Sequence, residues 1–158
     1  MDSKFFIIPK YYFFVSASSE GISKLNSFDN ALISAGMGNY SLVKVSSILP
    51  PHCKETSVYD FSIGTILPIA YTSLSSDAQG ELISSAISVG IPSETNKPGV
   101  IMEYSGYASL EKVKEMVEKM TYQALSIRNC KIKKIKTEGK SHIVDKIATT
   151  FAGVALWS

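Results

Sequence analysis

Two adjacent prolines constrain this chain more than any other feature. A β-rich run from Tyr40 to Val45 leads through Ser46-Ser47-Ile48-Leu49 into Pro50-Pro51. Proline fixes φ and has no amide hydrogen, so a regular strand cannot continue through the pair. Pro50 also drives Leu49 toward extended geometry. The Ser46–Ser47 peptide therefore lies where a strand gives way to a rigid corner, a place suited to holding a backbone bond in a strained shape. A serine hydroxyl there could attack the carbonyl just before it. These seven residues support two readings: an ordinary strand end with small polar side chains, and a Ser–Ser bond that cuts itself.

The rest of the chain limits the setting. Its 158 residues suit one domain of ordinary size. Hydrophobic residues make up 45% and charged residues 19%, enough for a sizeable core and against disorder. The net charge of +2 is too small and too evenly spread to indicate nucleic acid. The densest basic run, Lys131 to Lys136, reads as a solvated strand face or edge, where lysines discourage edge pairing. A phosphate patch is the weaker reading of it. Cys53 and Cys130 have no metal-ligand spacing with each other or with His52 and His142, so no metal is expected; both read as free thiols of a reducing cytoplasm, with a disulfide between them as the alternative. His52 and Cys53 would point apart if that segment is extended. Phe5 to Ile8 is apolar, but Pro9 and Lys10 stop it short of a signal core or a spanning helix.

In chain order, Met1 to Pro9 reads as a mobile or partner-dependent arm. Tyr11 to Ala17 is a first strand, and Ser18 to Gly21 a turn. Leu25, Phe28, Leu32 and Ala35 form one helical stripe, closed by Gly36 in a left-handed cap. Asp29 points away from that stripe. Gly36 to Asn39 is a flexible approach to the next strand, without the order of a phosphate loop. Ser62 to Ser73 is strand-like, and Pro68 marks an edge strand or a bulge. Leu82 to Ile91 and Gly99 to Tyr104 are further strands. Ser109 caps a helix whose apolar face includes Val113, Met116, Val117, Met120 and Leu125, the methionines serving as core packing. Ile147 to Trp157 is a central strand, with Trp157 on the core or on a neighbouring subunit. Strands with helices after the first and before the last two give an α+β layered structure, a β-sandwich flanked by helices.

Glu103 is the most informative carboxylate. It sits in the apolar run Val100-Ile101-Met102-Glu103-Tyr104. A buried carboxylate costs several kcal/mol unless paired or protonated. Plain alternation, with Glu103 facing water and Met102 and Tyr104 facing in, is the competing explanation.

Several motifs in order resemble one family. They are Leu25 to Asn39, with its Phe-Asp-Asn-Ala-Leu core, Val-Ser-Ser-Ile-Leu-Pro-Pro at 45–51, Gly80 to Val89, Ile-Met-Glu-Tyr at 101–104, and Phe-Ala-Gly-Val-Ala-Leu-Trp at 151–157. Together they are similar to the pyruvoyl-dependent arginine decarboxylases, over about Ser16 to Trp157. The resemblance implies a four-layer αββα sandwich forming trimers, with the active site between protomers. It implies that Ser47 Oγ attacks the Ser46 carbonyl, converting amide to ester. Elimination then splits the chain into residues 1–46 and 47–158 and leaves a pyruvoyl group at Ser47. That group would be a covalent electron sink in place of PLP.

The resemblance further implies Glu103 as proton donor, Asp29 as the guanidinium-binding carboxylate and Leu32 as a pocket wall. Gly38, Tyr40 and Ile48 would line the substrate, and Ser46 would carry a new carboxylate beside the pyruvoyl. A raised pKa for Glu103 would follow from its apolar flanks. One position departs: the family commonly carries an asparagine where this chain has Ser41. Serine lacks the amide donors, so processing would weaken or Asn39 would substitute. The leading expectation is decarboxylation of arginine to agmatine and CO₂ by a cytoplasmic homotrimer. The alternatives are another amino acid as substrate, against which Asp29 argues, or an unprocessed binding homologue. A serine hydrolase is disfavoured, because no Gly-x-Ser-x-Gly elbow occurs and neither histidine has an obvious place beside Ser47.

Overall fold

The computed structural model describes residues 7–158, which form β1 (Tyr11–Glu20), α1 (Lys24–Ser34), β2 (Ser41–Lys44), β3 (Ile48–Leu49), β4 (Lys54–Glu55), β5 (Ile66–Ser76), β6 (Leu82–Pro92), β7 (Gly99–Gly106), α2 (Leu110–Ile127), β8 (Ile132–Ile143) and β9 (Ala148–Trp157). The expected arm at Met1 to Pro9 lies outside these residues up to position 6. One sheet has the order β2-β5-β9-β1-β4 and the other β3-β7-β6-β8. The final apolar run, β9, is central, pairing antiparallel with β1 on one side and β5 on the other.

The two sheets face each other through Ala70, Ala152, Val154 and Tyr12 from the first and Ile87, Val89 and Ile101 from the second. α1 covers the outer face of the first sheet through Ala31, packed with Phe13, Ile69 and Phe151. α2 covers the outer face of the second through Val113 and Val117 on Ala86, and Leu125 on Val100. The result is the expected αββα sandwich, each apolar face buried by a neighbouring layer.

The structure corrects several local expectations. β1 runs on to Glu20 because Ser18 to Glu20 keep pairing with Thr150 to Ala148. α1 starts at Lys24, capped by the Ser23 hydroxyl, and its buried side is Ser27 and Ala31; Leu25, in the first turn, is 76% exposed. Gly36 does take the left-handed conformation, at φ 78°. The segment that follows is no flexible approach: Met37 is fully buried, and a Cβ on Gly38 would lie 2.9 Å from the Ile33 Cα. Residues 62–65 form a turn, and β5 begins at Ile66.

β5 is an interior strand without a bulge. Pro68 is tolerated because its pairing with β9 starts only at Ile69. Met116 is 43% exposed, and the buried stripe of α2 is Val113, Val117, Thr121, Ala124 and Leu125, so Met116 is not core packing and Met120 is only partly covered. Ser109 caps α2 as expected, accepting from the Lys112 amide. His52 lies in a turn with φ 65°, not in an extended run. The lysine-rich run opens β8, an edge strand. Trp157 packs within the chain on Phe13, Tyr59 and Phe61.

Candidate active site

The Ser46–Ser47 link crosses from one sheet to the other. On its near side, Val45 donates its amide to the Ile69 carbonyl at 3.0 Å, extending the β2–β5 ladder of the first sheet. On its far side, Ile101 donates its amide to the Ser47 carbonyl at 2.9 Å, extending the β3–β7 ladder of the second. The register Ile48↔Val100 and Leu49↔Gly99 continues that pairing toward the prolines. The serine pair is therefore pinned at both ends, and the prolines close the corner beyond it. Neither serine has left-handed backbone, so strain of that kind is not what marks the bond. Ser46 is exposed, Ser47 half-buried and Ile48 42% exposed.

Glu103 lies on β7, two positions beyond the Ile101 that bonds the Ser47 carbonyl. Ile101 is part of the core between the sheets, and Ser105 shares a 2.7 Å hydrogen bond with Thr72 of the facing sheet. Side chains alternate along a strand, so Glu103, between them, also faces the gap between the sheets. Its neighbour Met102 instead packs toward α2. Alternation thus turns Glu103 inward, against the water-facing reading. It is half-buried, and desolvation raises its pKa above the ordinary 4.5, while the nearby Lys44 charge and its own backbone amide oppose the rise.

The remaining expected residues form a second group. Asp29 lies on the exposed side of α1 and makes no ion pair among the described residues. Leu32 is partly buried beside it in the core under α1, and Tyr40 packs edge-on against Phe61 at 5.7 Å. Gly38 abuts Ile33. Within one protomer this group stays on the outer layer, whereas Ser46, Ser47 and Ile48 lie on the link between the two sheets and Glu103 on the adjoining strand β7. Ser41, at the departing position, is exposed at the start of β2.

Sequence reasoning missed Lys44. Its ammonium sits over the Tyr71 ring at 4.8 Å, on the side of the first sheet that α1 covers. Its place just before the serine pair was a signal, but nothing in the sequence joins it to Tyr71. Cys53 is no competing nucleophile, because burial pushes its thiol up to about 11. Among the described residues, no group of three His, Cys, Asp or Glu side chains is placed to hold a metal ion.

This arrangement fits the class of pyruvoyl-dependent enzymes. A profile of the pyruvoyl-dependent arginine decarboxylase family matches residues 11–155. The chain is 38% identical to the pyruvoyl-dependent arginine decarboxylase of Methanocaldococcus jannaschii over 153 residues, 97% of this chain and 93% of the relative. It is 41% identical to that of Pyrococcus furiosus, covering 96% of this chain and 97% of the relative, and 42% identical to that of Thermococcus kodakarensis, covering 94% and 96%. The chain belongs to the pyruvoyl-dependent arginine decarboxylase family.

Proposed function

We propose that this protein decarboxylates arginine to agmatine and CO₂, with a pyruvoyl group made from its own Ser47. The observation that carries the reading is the pairing of a doubly anchored Ser46–Ser47 link with a desolvated Glu103 on the adjoining strand. The local residues suit such a group: Ser47 is half-buried, its carbonyl is fixed by the Ile101 amide, and Pro50 and Pro51 limit the chain beyond it. Once formed, a pyruvoyl group supplies an electron sink for the bond to CO₂.

The chain's own residues do the remaining work. Ser47 Oγ attacks the Ser46 carbonyl, and the chain separates into residues 1–46 and 47–158 of one functional domain. Glu103, whose carboxyl burial shifts toward the protonated form, donates a proton to the substrate carbon that has lost CO₂. Asp29 takes the guanidinium, whose planar fork matches a carboxylate, and Leu32 lines the aliphatic stem. Gly38, Tyr40 and Ile48 complete the pocket.

Asp29 and Ser47 lie in separate groups of the protomer, which supports a site shared between subunits of a homotrimer. Exposed Val43, Ile48, Ile63 and Ile66, around the edge strand β2, offer apolar surface for that contact. Among the described residues no helix is long and apolar enough to cross a membrane. A cytoplasmic location is our reading, in line with two free cysteines. The test is agmatine production from arginine by the purified protein, with Ser47→Ala as control. Equal product from both proteins would contradict the assignment.

A further inference from the structure

The Ser47 carbonyl oxygen accepts the Ile101 amide at 2.9 Å. Both partners belong to the 47–158 segment, and the pairs Ile48↔Val100 and Leu49↔Gly99 hold their two strands together. A cut after Ser46 therefore leaves both sides of this hydrogen bond on one fragment. The donor sits in a closed setting, with Val100 and Ile101 fully buried. The strands have no slack either. A Cβ on Gly99 would lie 2.8 Å from the Gly90 carbonyl oxygen and 3.2 Å from the Leu49 Cβ. A fixed N–H in such surroundings stabilises negative charge on its acceptor without having to reorganise first.

On the reading that the Ser46–Ser47 bond cleaves itself, we propose that the Ile101 amide is a catalytic donor that stabilises charge on the Ser47 carbonyl oxygen twice, once when the pyruvoyl group is made and once when it is used. Attack by Ser47 Oγ forms a C–O bond and breaks the peptide C–N bond, and the hydroxyl proton passes to the freed Ser47 amine. In the elimination that follows, the Ser47 Cα–H bond breaks and its proton passes to water. The electron pair left on Cα is shared with the adjoining carbonyl oxygen. It then forms the Cα–Cβ double bond as the Cβ–Oγ bond breaks and Ser46 departs as a carboxylate. The dehydroalanine left behind takes up water and loses ammonia to give pyruvoyl. In turnover, the substrate amine replaces the keto oxygen, which leaves as water. The bond to the substrate carboxylate then breaks and CO₂ departs. Its electron pair spreads to the same Ser47 carbonyl oxygen until the substrate carbon takes a proton from Glu103. In both steps charge grows on the atom that the Ile101 N–H already faces.

Replacing Ile101 by its α-hydroxy acid exchanges this one N–H for an ester oxygen and keeps the side chain. The same exchange at Val144, a buried residue whose amide donates to the Glu81 carbonyl at 2.9 Å, controls for the loss of a backbone hydrogen bond elsewhere. Intact mass is followed over time, with hydroxylamine added to cut any surviving Ser46–Ser47 ester. That cut gives a serine-headed 47–158 fragment, heavier than the pyruvoyl-headed one by one ammonia. In the Ile101 chain, passage from ester to pyruvoyl should slow by about 10²-fold, the usual effect of removing one such donor, so the hydroxylamine-sensitive ester accumulates. The kcat of the pyruvoyl-bearing fraction should fall by a similar factor, with KM changed much less. The Val144 chain should match wild type in both. If the Ile101 and Val144 chains process and turn over alike, the Ile101 amide has no such role. Deuterium exchange at the Ile101 amide of processed wild type is a second test that needs no variant. Strong protection is expected, and exchange as fast as that of an exposed amide would overturn the proposal. A wild-type chain that forms neither ester nor fragments would overturn the self-cleavage reading itself.

Discussion

The Ser47 carbonyl accepts the Ile101 amide at 2.9 Å, two positions before Glu103 on the same strand. This one hydrogen bond ties the Ser46–Ser47 link, proposed as the bond that is cut, to the strand that carries Glu103, the proposed proton donor. The ladder exists in the intact chain, so in the proposed reaction Glu103 already stands on the adjoining strand before Ser47 is processed.

Replacing Glu103 by Gln keeps the shape and removes the acid. Decarboxylation should fall by about 10²–10⁴-fold, the usual contribution of one general acid. Cleavage after Ser46 should persist. Turnover near the wild-type rate, measured as CO₂ release, would remove Glu103 from the mechanism.

The same variant carries a stability signature. The folded-state pKa of Glu103 is raised above the ordinary 4.5, first by desolvation. A raised carboxyl pKa favours the folded state only while the group stays protonated, and that benefit is lost as pH rises through the folded value. Glu103→Gln should therefore melt higher than wild type at neutral pH, with the gap closing as pH falls through the folded value toward about 4.5, the ordinary value. Melting curves across this range that run parallel would show that Glu103 is not desolvated.

Glu20 has the opposite sign. Desolvation pushes its pKa up, but the Asp145 amide, the His142 ring and the Lys146 amide outweigh it and hold the group at about 2. Its stabilising effect is present above the ordinary value of 4.5 and lost as pH falls toward about 2. Its side chain is 35% exposed, so solvent screening keeps the effect modest. Glu20→Gln should flatten the fall in urea midpoint between those two pH values. An unchanged slope would mean that other carboxylates govern acid unfolding.

The layers of the fold were legible in the sequence because apolar period and caps are local signals. Ser109, Gly36 and the run ending at Trp157 each fixed one element. Surface faces were less legible: Leu25 and Met116 fit an apolar stripe by spacing, but which side of a helix meets the sheet is decided by the partner layer. The site was legible as a set of residues through family motifs, not as a place. That Ser47 bonds to Ile101, that Lys44 rests on Tyr71 and that Ile7 lines one cavity with Ser46 all depend on long-range pairing, which no local pattern encodes.

Gly38 shows how tightly the turn after α1 is built. A Cβ there would meet the Ile33 Cγ1 and Cα within 2.4 and 2.9 Å. Gly38→Ala should destabilise the fold by about 1–3 kcal/mol, the range for overpacking. The thermal midpoint should drop by about 2–4 °C per kcal/mol for a chain of this size. A midpoint equal to wild type would show that the turn yields freely.

Asp29 sets the substrate in this reading. A charge-assisted hydrogen bond contributes about 1.5–3 kcal/mol, so Asp29→Asn should raise the KM for arginine by about ten- to a hundredfold. Citrulline, which lacks the charge, should be affected much less. Equal losses for both substrates in a CO₂-release assay would show that Asp29 acts through folding or assembly.

The intact mass of the purified protein tests self-processing at Ser47 most directly. Wild type should give two fragments, residues 1–46 and a 47–158 fragment headed by pyruvoyl, while Ser47→Ala stays whole and inactive. A wild-type chain that remains one uncut species after long incubation would contradict the pyruvoyl origin proposed for this site.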